Sequence, residues 1–423
     1  MTDVLLPKVR DVMVRTRAPS SKSFTHRAYL AAALAHGRSR IMAPLRSGDT
    51  DRTLAALRQM GVSASWSETE LRITGSDGAL RCTEGMAIDL GNSGTSLRLL
   101  TASAMLCDHP LVLTGDARMQ ERPVGPLADT LEMLGGSVHF LKRRGFPPIR
   151  IQGPLRGGAA SIDARVSSQF VSAVLMASPY AGQAVDLSVA ANPVSRSYID
   201  ITLAVMEKFG VGVERTGYSR FIVKSGSGYR GTVYAVEGDY SSAAFFFAIA
   251  AICGGRVTVE NLNPESVQGD RAFLTALAAM GCQVIPGVTE VTVERAGMLQ
   301  GITIDMTMAP DTVQALCMVA AVARSPTTIT GTAHLQYKES DRVRVIAENL
   351  RRMGAGVVVG NNCIRITPGP LRPIRVDPLG DHRTAMSFAV LGLGVGGMEI
   401  REAECVEKSF PAFWEELRKG GLL

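Results

Sequence analysis

The chain has 423 residues, of which 46% are hydrophobic and 20% charged, with a net charge of +6. These values predict a packed globular protein of roughly two to three domains and exclude a disordered one. No apolar run reaches the roughly 18 residues of a membrane span, and the start, "MTDVLLPKVRDVMV", carries no secretory signal pattern. The seven cysteines are scattered without a C-x-x-C pair. That spacing argues against zinc and a disulfide framework and fits a reducing cytoplasm. Aromatics are 5% of the chain, and the one tight basic cluster is Lys142-Arg143-Arg144, in a predicted hairpin turn. No nucleic-acid partner and no membrane partner are therefore expected.

The N-terminal "VLLPKVRDVMVRT" reads as a hairpin-like pair of strands with no helix before it. A pattern then recurs six times. A nearly all-apolar helix comes first: "RAYLAAALAHG", "LRLLTASAML", "FVSAVLMAS", "AAFFFAIAAICGG", "VQALCMVAAVA" and "AMSFAVLGLGVGG". A helix apolar all round is buried. Short strands such as "SRIMAPL", "PLVLTG", "RVTVENL", "TTITGT" and "MEIREAE" follow. An amphipathic helix is next, with stripes such as Ile199, Leu203 and Met206, or Ile346, Leu350 and Met353, at i, i+4, i+7. These helices stop at Met60-Gly61, Leu134-Gly135, Phe209-Gly210, Met280-Gly281, Met353-Gly354 and Lys419-Gly420. Each glycine is the expected left-handed cap. A hairpin such as "VSASWSETELRITG" or "CQVIPGVTEVTVERAG" completes the repeat. The last helix lacks its hairpin, so the N-terminal strands are predicted to close the last repeat. Three repeats around a common core make one lobe, and six make two lobes with a cleft between them.

Polar residues gather just before the buried helices, in "PSSKSFTHR", "GNSGTSLR", "ARVSSQF", "EGDYSSA", "MAPDTV" and "LGDHRT". Ser, Thr and Asp at such places are N-caps first of all. Lys22, Arg27, Arg98 and Arg383 need another reason, because cations are disfavoured at a helix N-terminus. Their placement suggests an outside anion that offsets the repulsion. "LGNSGTSLRLL" resembles a phosphate loop, yet no Lys-Ser/Thr follows its second glycine. Arg98 lies a turn inside the helix and is expected to order the mouth. More cations stand where strands lead into amphipathic helices: Arg122, Arg196, Lys338, Arg342 and Lys408. Lys338 and Arg342 are expected on one helical face, with Glu339 between them. The carboxylates of these clusters are Asp311, Glu339 and Asp381, and His382 adjoins Arg383. No cluster has metal spacing, and no G-x-G-x-x-G follows a strand. Such a site suits small, multiply anionic substrates handled by acid–base groups, with no metal and no cofactor.

The motifs "LGNSGTSLRLLT", "RMQERPVGPL", "SSQFVSAVLM", "SYIDITLAVMEKFGV", "YKESDR" and "GDHRTAMSFAV" come in the order of an enolpyruvyl transferase family. From about Lys22 to Leu417 the chain resembles the 5-enolpyruvylshikimate-3-phosphate synthases. The resemblance implies an α/β fold of two lobes, each three β-α-β-α-β-β units with pseudo-threefold symmetry. One lobe would span 20–237 and bind shikimate 3-phosphate. The other would join 1–19 to 238–423 and bind phosphoenolpyruvate. The implied reaction moves the enolpyruvyl group of phosphoenolpyruvate to the 5-hydroxyl of shikimate 3-phosphate and releases phosphate, a step of the shikimate pathway to chorismate. It assigns catalysis to Asp311 as base, Glu339 as acid and Lys22 beside both. Phosphoenolpyruvate would meet Lys22, Gly94, Arg122, Gln169, Arg342, Arg383 and Lys408. Shikimate 3-phosphate would meet Lys22, Ser23, Arg27, Ser167, Ser168, Gln169, Ser195, Tyr198, Asp311 and Lys338. A cytoplasmic monomer inhibited by glyphosate is expected.

The chain departs from the commoner family pattern at His334, where many members have Asn, at His26, and at Ser197, a frequent proline. Two rival readings stand beside this one. The first is the sister transferase acting on UDP-N-acetylglucosamine, which usually has Lys-Asn where this chain has Lys22-Ser23. The second is a non-catalytic protein that binds anions or RNA ends, which needs no paired acid and base.

Overall fold

A computed structural model describes residues 3–423. These divide into two compact units. A middle unit spans Ser21–Val236, and a terminal unit joins the N-terminal segment, up to Ser20, to Glu237–Leu423. The middle unit carries helices α1 (Lys22–Leu34), α2 (Gly48–Gln59), α3 (Gly94–Ser103), α4 (Gly125–Met133), α5 (Gln169–Ala177) and α6 (Ser197–Lys208). The terminal unit carries α7 (Tyr240–Cys253), α8 (Ala272–Ala279), α9 (Val313–Ala321), α10 (Arg342–Met353), α11 (His382–Val395) and α12 (Phe413–Lys419). Odd-numbered helices are the apolar ones, and they are buried along almost their whole length.

Helix α7 shows why such a sequence folds this way. Asp239 accepts from the Ser241 N–H at 3.2 Å and from the Ser242 hydroxyl at 3.0 Å, so the entry is capped. Gly254, at φ +83°, takes the chain out of the helix. Between these ends all fourteen side chains are buried. Phe245, Phe246 and Phe247 contribute about 2 kcal/mol each by burial. The helices α7, α9 and α11 pack on one another as the terminal unit's core. In the middle unit α3 packs on α5, while α1 lies against α2 and α6.

Each repeat places its strands the same way. In the second, Ala87–Asp89 pairs in parallel with Leu111–Thr114, which pairs antiparallel with Ile149–Gln152, followed by Ser137–Phe140. The middle unit has three such four-stranded sheets, and the terminal unit has two and one of three strands. The predicted N-terminal hairpin does not form. Val4–Leu6 pairs antiparallel with Met398–Ile400, in the last repeat's sheet. Val12–Arg17 pairs in parallel with Gly255–Glu260, in a different sheet. Both strands reach partners some 240 residues or more away that local sequence pattern does not reveal.

The helix-ending glycines from Gly61 (φ +84°) to Gly354 (φ +109°) are left-handed as predicted. The sixth is displaced by one residue. Gly420 keeps a right-handed φ of −76°, and Gly421 at +67° makes the turn. The bond from Leu422 N–H to Leu417 C=O, at 2.9 Å, matches the one from Val62 to Leu57 at 3.0 Å. With two glycines in succession, the cap falls on the second.

Candidate active site

In the middle unit the polar residues collect at the entries of α1, α3, α5 and α6. Lys22 opens α1, and its Nζ sits 3.0 Å from Asp49 Oδ2, with both side chains buried. Asp49 stands in the first turn of α2, where a carboxylate is favoured. Sequence reasoning missed it, because an acid in that position reads as an ordinary helix-start residue. Ser23 is half-buried, and its carbonyl accepts from Arg27 Nη1 at 2.9 Å. Arg27 is 1% exposed and donates further to Thr202 Oγ1 at 2.7 Å, Tyr198 C=O at 3.2 Å and Ser172 Oγ at 3.3 Å. Burial among neutral acceptors lowers its guanidinium to about 10.

At the entry of α3, Arg122 donates to the carbonyl and side-chain oxygens of Asn92 at 3.2 and 3.0 Å. Arg98 Nη1 donates to Gln169 Oε1 at 3.0 Å, and Gln169 Nε2 donates to Thr95 Oγ1 at 3.0 Å. The Gln169 amide is therefore fixed in orientation by α3, and Arg98 orders the mouth as expected. A methyl group on Gly94 would stand 2.5 Å from Arg122 Nη2 and 2.6 Å from Arg98 Nη1. Ser167 Oγ accepts from the Gln169 N–H at 3.2 Å just ahead of α5, and Ser168, the N-cap, is buried. Ser195 adopts φ +53° and its carbonyl accepts from the Tyr198 N–H at 3.1 Å. That left-handed serine sets the direction in which α6 starts.

The terminal unit gathers a denser cluster. Arg342, 1% exposed, holds three carboxylates: Asp381 Oδ2 at 2.9 Å from Nε, Glu339 Oε2 at 2.8 Å from Nη2, and Asp311 Oδ1 at 3.0 Å from Nη1. Asp381 also caps α11, accepting from the Arg383 N–H at 3.0 Å, and it accepts from Ser340 Oγ at 3.0 Å. The other Asp311 oxygen accepts from Arg383 Nη2 at 3.1 Å, and Lys338 Nζ lies 3.7 Å from Oδ1. Burial alone would lower the Arg342 guanidinium. The charges of Asp381, Glu339 and Asp311 outweigh it and hold the group well above its ordinary value. Burial likewise would raise the Asp381 carboxyl, but Arg342 and His382 hold it below the usual carboxylate range.

Two expectations change here. Lys338 and Arg342 do not share a helical face. Lys338 is extended after a 3-10 turn over Ala333–Tyr337, and α10 begins at Arg342 behind its cap Asp341, which accepts from the Arg344 N–H at 3.1 Å. The cations at helix entries are also not left to an outside anion alone, because each has a partner within the protein. Asp49 answers Lys22, Asp311 answers Arg383, Gln169 answers Arg98, and neutral acceptors answer Arg27. Lys408 ends a 3-10 turn over Ala403–Lys408 that packs against α11. His382 is fully buried, its Nδ1 3.8 Å from Asp381 Oδ1.

His334, 4% exposed, is held down to about 3, by burial first and then by Lys338 and Arg342, against Asp311. Unfolded, it titrates near 6.5. Between those values the unfolded chain binds a proton that the folded chain refuses. Its stabilising effect is therefore complete above about pH 6.5 and is lost as pH falls. From pH 6.5 to 5 the loss is about 2 kcal/mol. Thermal melts at pH 7.5 and 5.0 should show wild type losing about 5 °C more than His334→Asn. Equal losses in the two proteins would remove this role.

Six repeats with buried helices, entered through clusters of cations, hydroxyls and paired carboxylates, define an α/β protein equipped for small anionic substrates. The sequence profile of EPSP synthase (3-phosphoshikimate 1-carboxyvinyltransferase) matches residues 8–417. The 3-phosphoshikimate 1-carboxyvinyltransferase of Methanoculleus marisnigri is 61% identical over 406 residues, covering 96% of each chain. That of Escherichia coli strain SMS-3-5 is 38% identical over 423 residues, covering 99% of each. A solved EPSP synthase from Acinetobacter baumannii superposes with a TM-score of 0.82 at 30% identity, covering 99% of this chain and 98% of that one. The chain belongs to the EPSP synthase family.

Proposed function

We propose that the protein transfers the enolpyruvyl group of phosphoenolpyruvate to the 5-hydroxyl of shikimate 3-phosphate. The products are 5-enolpyruvylshikimate 3-phosphate and phosphate. The observation that carries this reading is one buried guanidinium, Arg342, holding Asp311 and Glu339 on two adjacent nitrogens. The reaction needs a base and an acid whose relative position is fixed. Asp311 takes the 5-hydroxyl proton as the oxygen attacks C2, and Glu339 gives a proton to C3. The tetrahedral adduct then loses a C3 proton and phosphate. The phosphoenolpyruvate anion competes with Asp311 for Arg342 and Arg383, which frees carboxylate oxygen for the hydroxyl. Lys22, Gly94, Arg122, Gln169 and Lys408 complete the phosphoenolpyruvate contacts. Lys22, Ser23, Arg27, Ser167, Ser168, Gln169, Ser195, Tyr198, Asp311 and Lys338 meet shikimate 3-phosphate, and Arg27 also holds Ser23 and Tyr198 in place. The protein works as a cytoplasmic monomer. Its match to the EPSP synthase profile over residues 8–417 supports this reading.

The test is phosphate release from phosphoenolpyruvate with shikimate 3-phosphate or UDP-N-acetylglucosamine as acceptor. Release with the first alone is expected, and release with the second alone overturns the assignment. Gly94→Ala is expected to fold, since alanine favours a helix by about 1 kcal/mol over glycine and the crowded atoms are arginine ends. Displacing Arg122 should raise KM for phosphoenolpyruvate about 10–100-fold and weaken glyphosate inhibition. An unchanged KM in initial-rate measurements would remove Gly94 from the site.

A further inference from the structure

Of the seven cysteines, two meet. Cys82 Sγ lies 2.9 Å from Cys107 Sγ, although the residues stand on separate segments. Backbone bonds hold those segments together. Leu80 N–H donates to Leu106 C=O and Asp108 N–H to Leu80 C=O, each at 3.3 Å, and Cys82 N–H donates to Asp108 Oδ1 at 2.7 Å. The sulfurs are thus brought together by the fold, and a bond of about 2.05 Å requires less than about 1 Å of further approach. Cys82 is buried. Cys107 is half-buried and lines an open depression of about 680 Å³ with Asp108, His109 and Tyr180, so reagents arrive on its side. The hydrogen bond between the two sulfurs holds the Cys82 thiol below its ordinary range, while the same bond and burial push Cys107 up. Burial raises Cys253, Cys282, Cys317 and Cys405, which keeps those thiols unreactive.

We propose that Cys82 and Cys107 form a reversible redox pair, a modification site that closes to a disulfide when a small disulfide reagent, RSSR, enters the depression. Cys107 passes its proton across the 2.9 Å contact to the Cys82 thiolate and, now itself the thiolate and on the accessible side, attacks RSSR, giving a Cys107–SR mixed disulfide and releasing RS⁻, which takes up the proton from Cys82. Cys82, as the thiolate, then attacks the Cys107 sulfur and expels the second RS⁻. One sulfur–sulfur bond breaks and one forms, and two protons and two electrons leave as two RSH. The closed pair ties the chain beyond α3 to the segment that precedes it, and it closes a loop that the unfolded chain otherwise leaves free. Since α3 begins at Gly94, the modification fixes the far end of a helix that opens on the candidate site.

The experiment treats the full-length protein with oxidised glutathione, counts thiols after denaturation and maps the peptides by mass. Five titratable thiols of the original seven, a peptide joining Cys82 to Cys107, and a Tm about 5 °C higher are expected, all reversed by dithiothreitol. The variants C82S and C107S should each show no reagent-dependent rise in Tm and keep the turnover of wild type. Seven thiols remaining, glutathione retained as a stable adduct, or a crosslink between other cysteines overturns the proposal. If either variant fails to fold, the wild-type thiol count and peptide map decide alone.

Discussion

Glu339→Gln and Asp311→Asn should each lower turnover by about 10²–10⁴-fold while binding shikimate 3-phosphate within about threefold of wild type. Each change preserves size and keeps an oxygen able to accept from Arg342, but removes a group that exchanges the reacting proton. Because both carboxylates sit on one guanidinium, 3.0 and 2.8 Å from Nη1 and Nη2, the two work as a unit. The double variant should therefore lose little more than the worse single variant. Single-turnover phosphate release gives the rates, and calorimetry gives the binding. Turnover within threefold of wild type in both single variants would exclude the paired acid and base.

Arg342→Ala should be the most disruptive single change in the terminal unit. It leaves Asp381, fully buried, and Glu339, 8% exposed, without their cation. Removing one partner from a buried charge cluster typically costs about 3–5 kcal/mol, or roughly 10 °C in Tm for a unit of this size. Lysine should restore little, because it cannot reach three carboxylates with a planar fork. The pH dependence separates lost charge pairing from lost volume. With Arg342 present, Asp381 is held below its ordinary value, so its contribution is full above about pH 4 and is lost as pH falls. Without Arg342, burial raises that carboxyl, and the folded variant takes up a proton as pH falls. The gap in Tm between wild type and variant should therefore be wider at pH 8 than at pH 5. A gap independent of pH would assign the loss to packing alone.

The repeat was legible because each of its parts is a local signal. An all-apolar run, a stripe at i, i+4, i+7 and a glycine just beyond it require no knowledge of distant neighbours. The clusters at helix entries were legible for the same reason, and Asp311, Glu339, Arg342 and Arg383 do come together. Partners that lie across the fold were not. Asp49 meets Lys22 from another helix, and the two N-terminal strands separate into different sheets. Cys82 and Cys107 meet through backbone pairing that cysteine spacing alone does not signal. The start of α10 was within reach of the sequence. Asp341 is an ordinary N-cap residue, and reading it as one would have separated Lys338 from the helical face of Arg342.

The placement of the N-terminal strands sets an order of assembly on a chain made from its N-terminus. Val12–Arg17 is synthesised well before its partner, Gly255–Glu260, which emerges more than two hundred residues later. The partner of Val4–Leu6, Met398–Ile400, comes later still. The strands of the middle unit all lie between Arg38 and Ala235, so that unit has every pairing partner before the terminal unit has its own. Domains fold as units during synthesis. The middle unit is thus expected to fold first, while these two strands wait as unpaired edges for partners made after it.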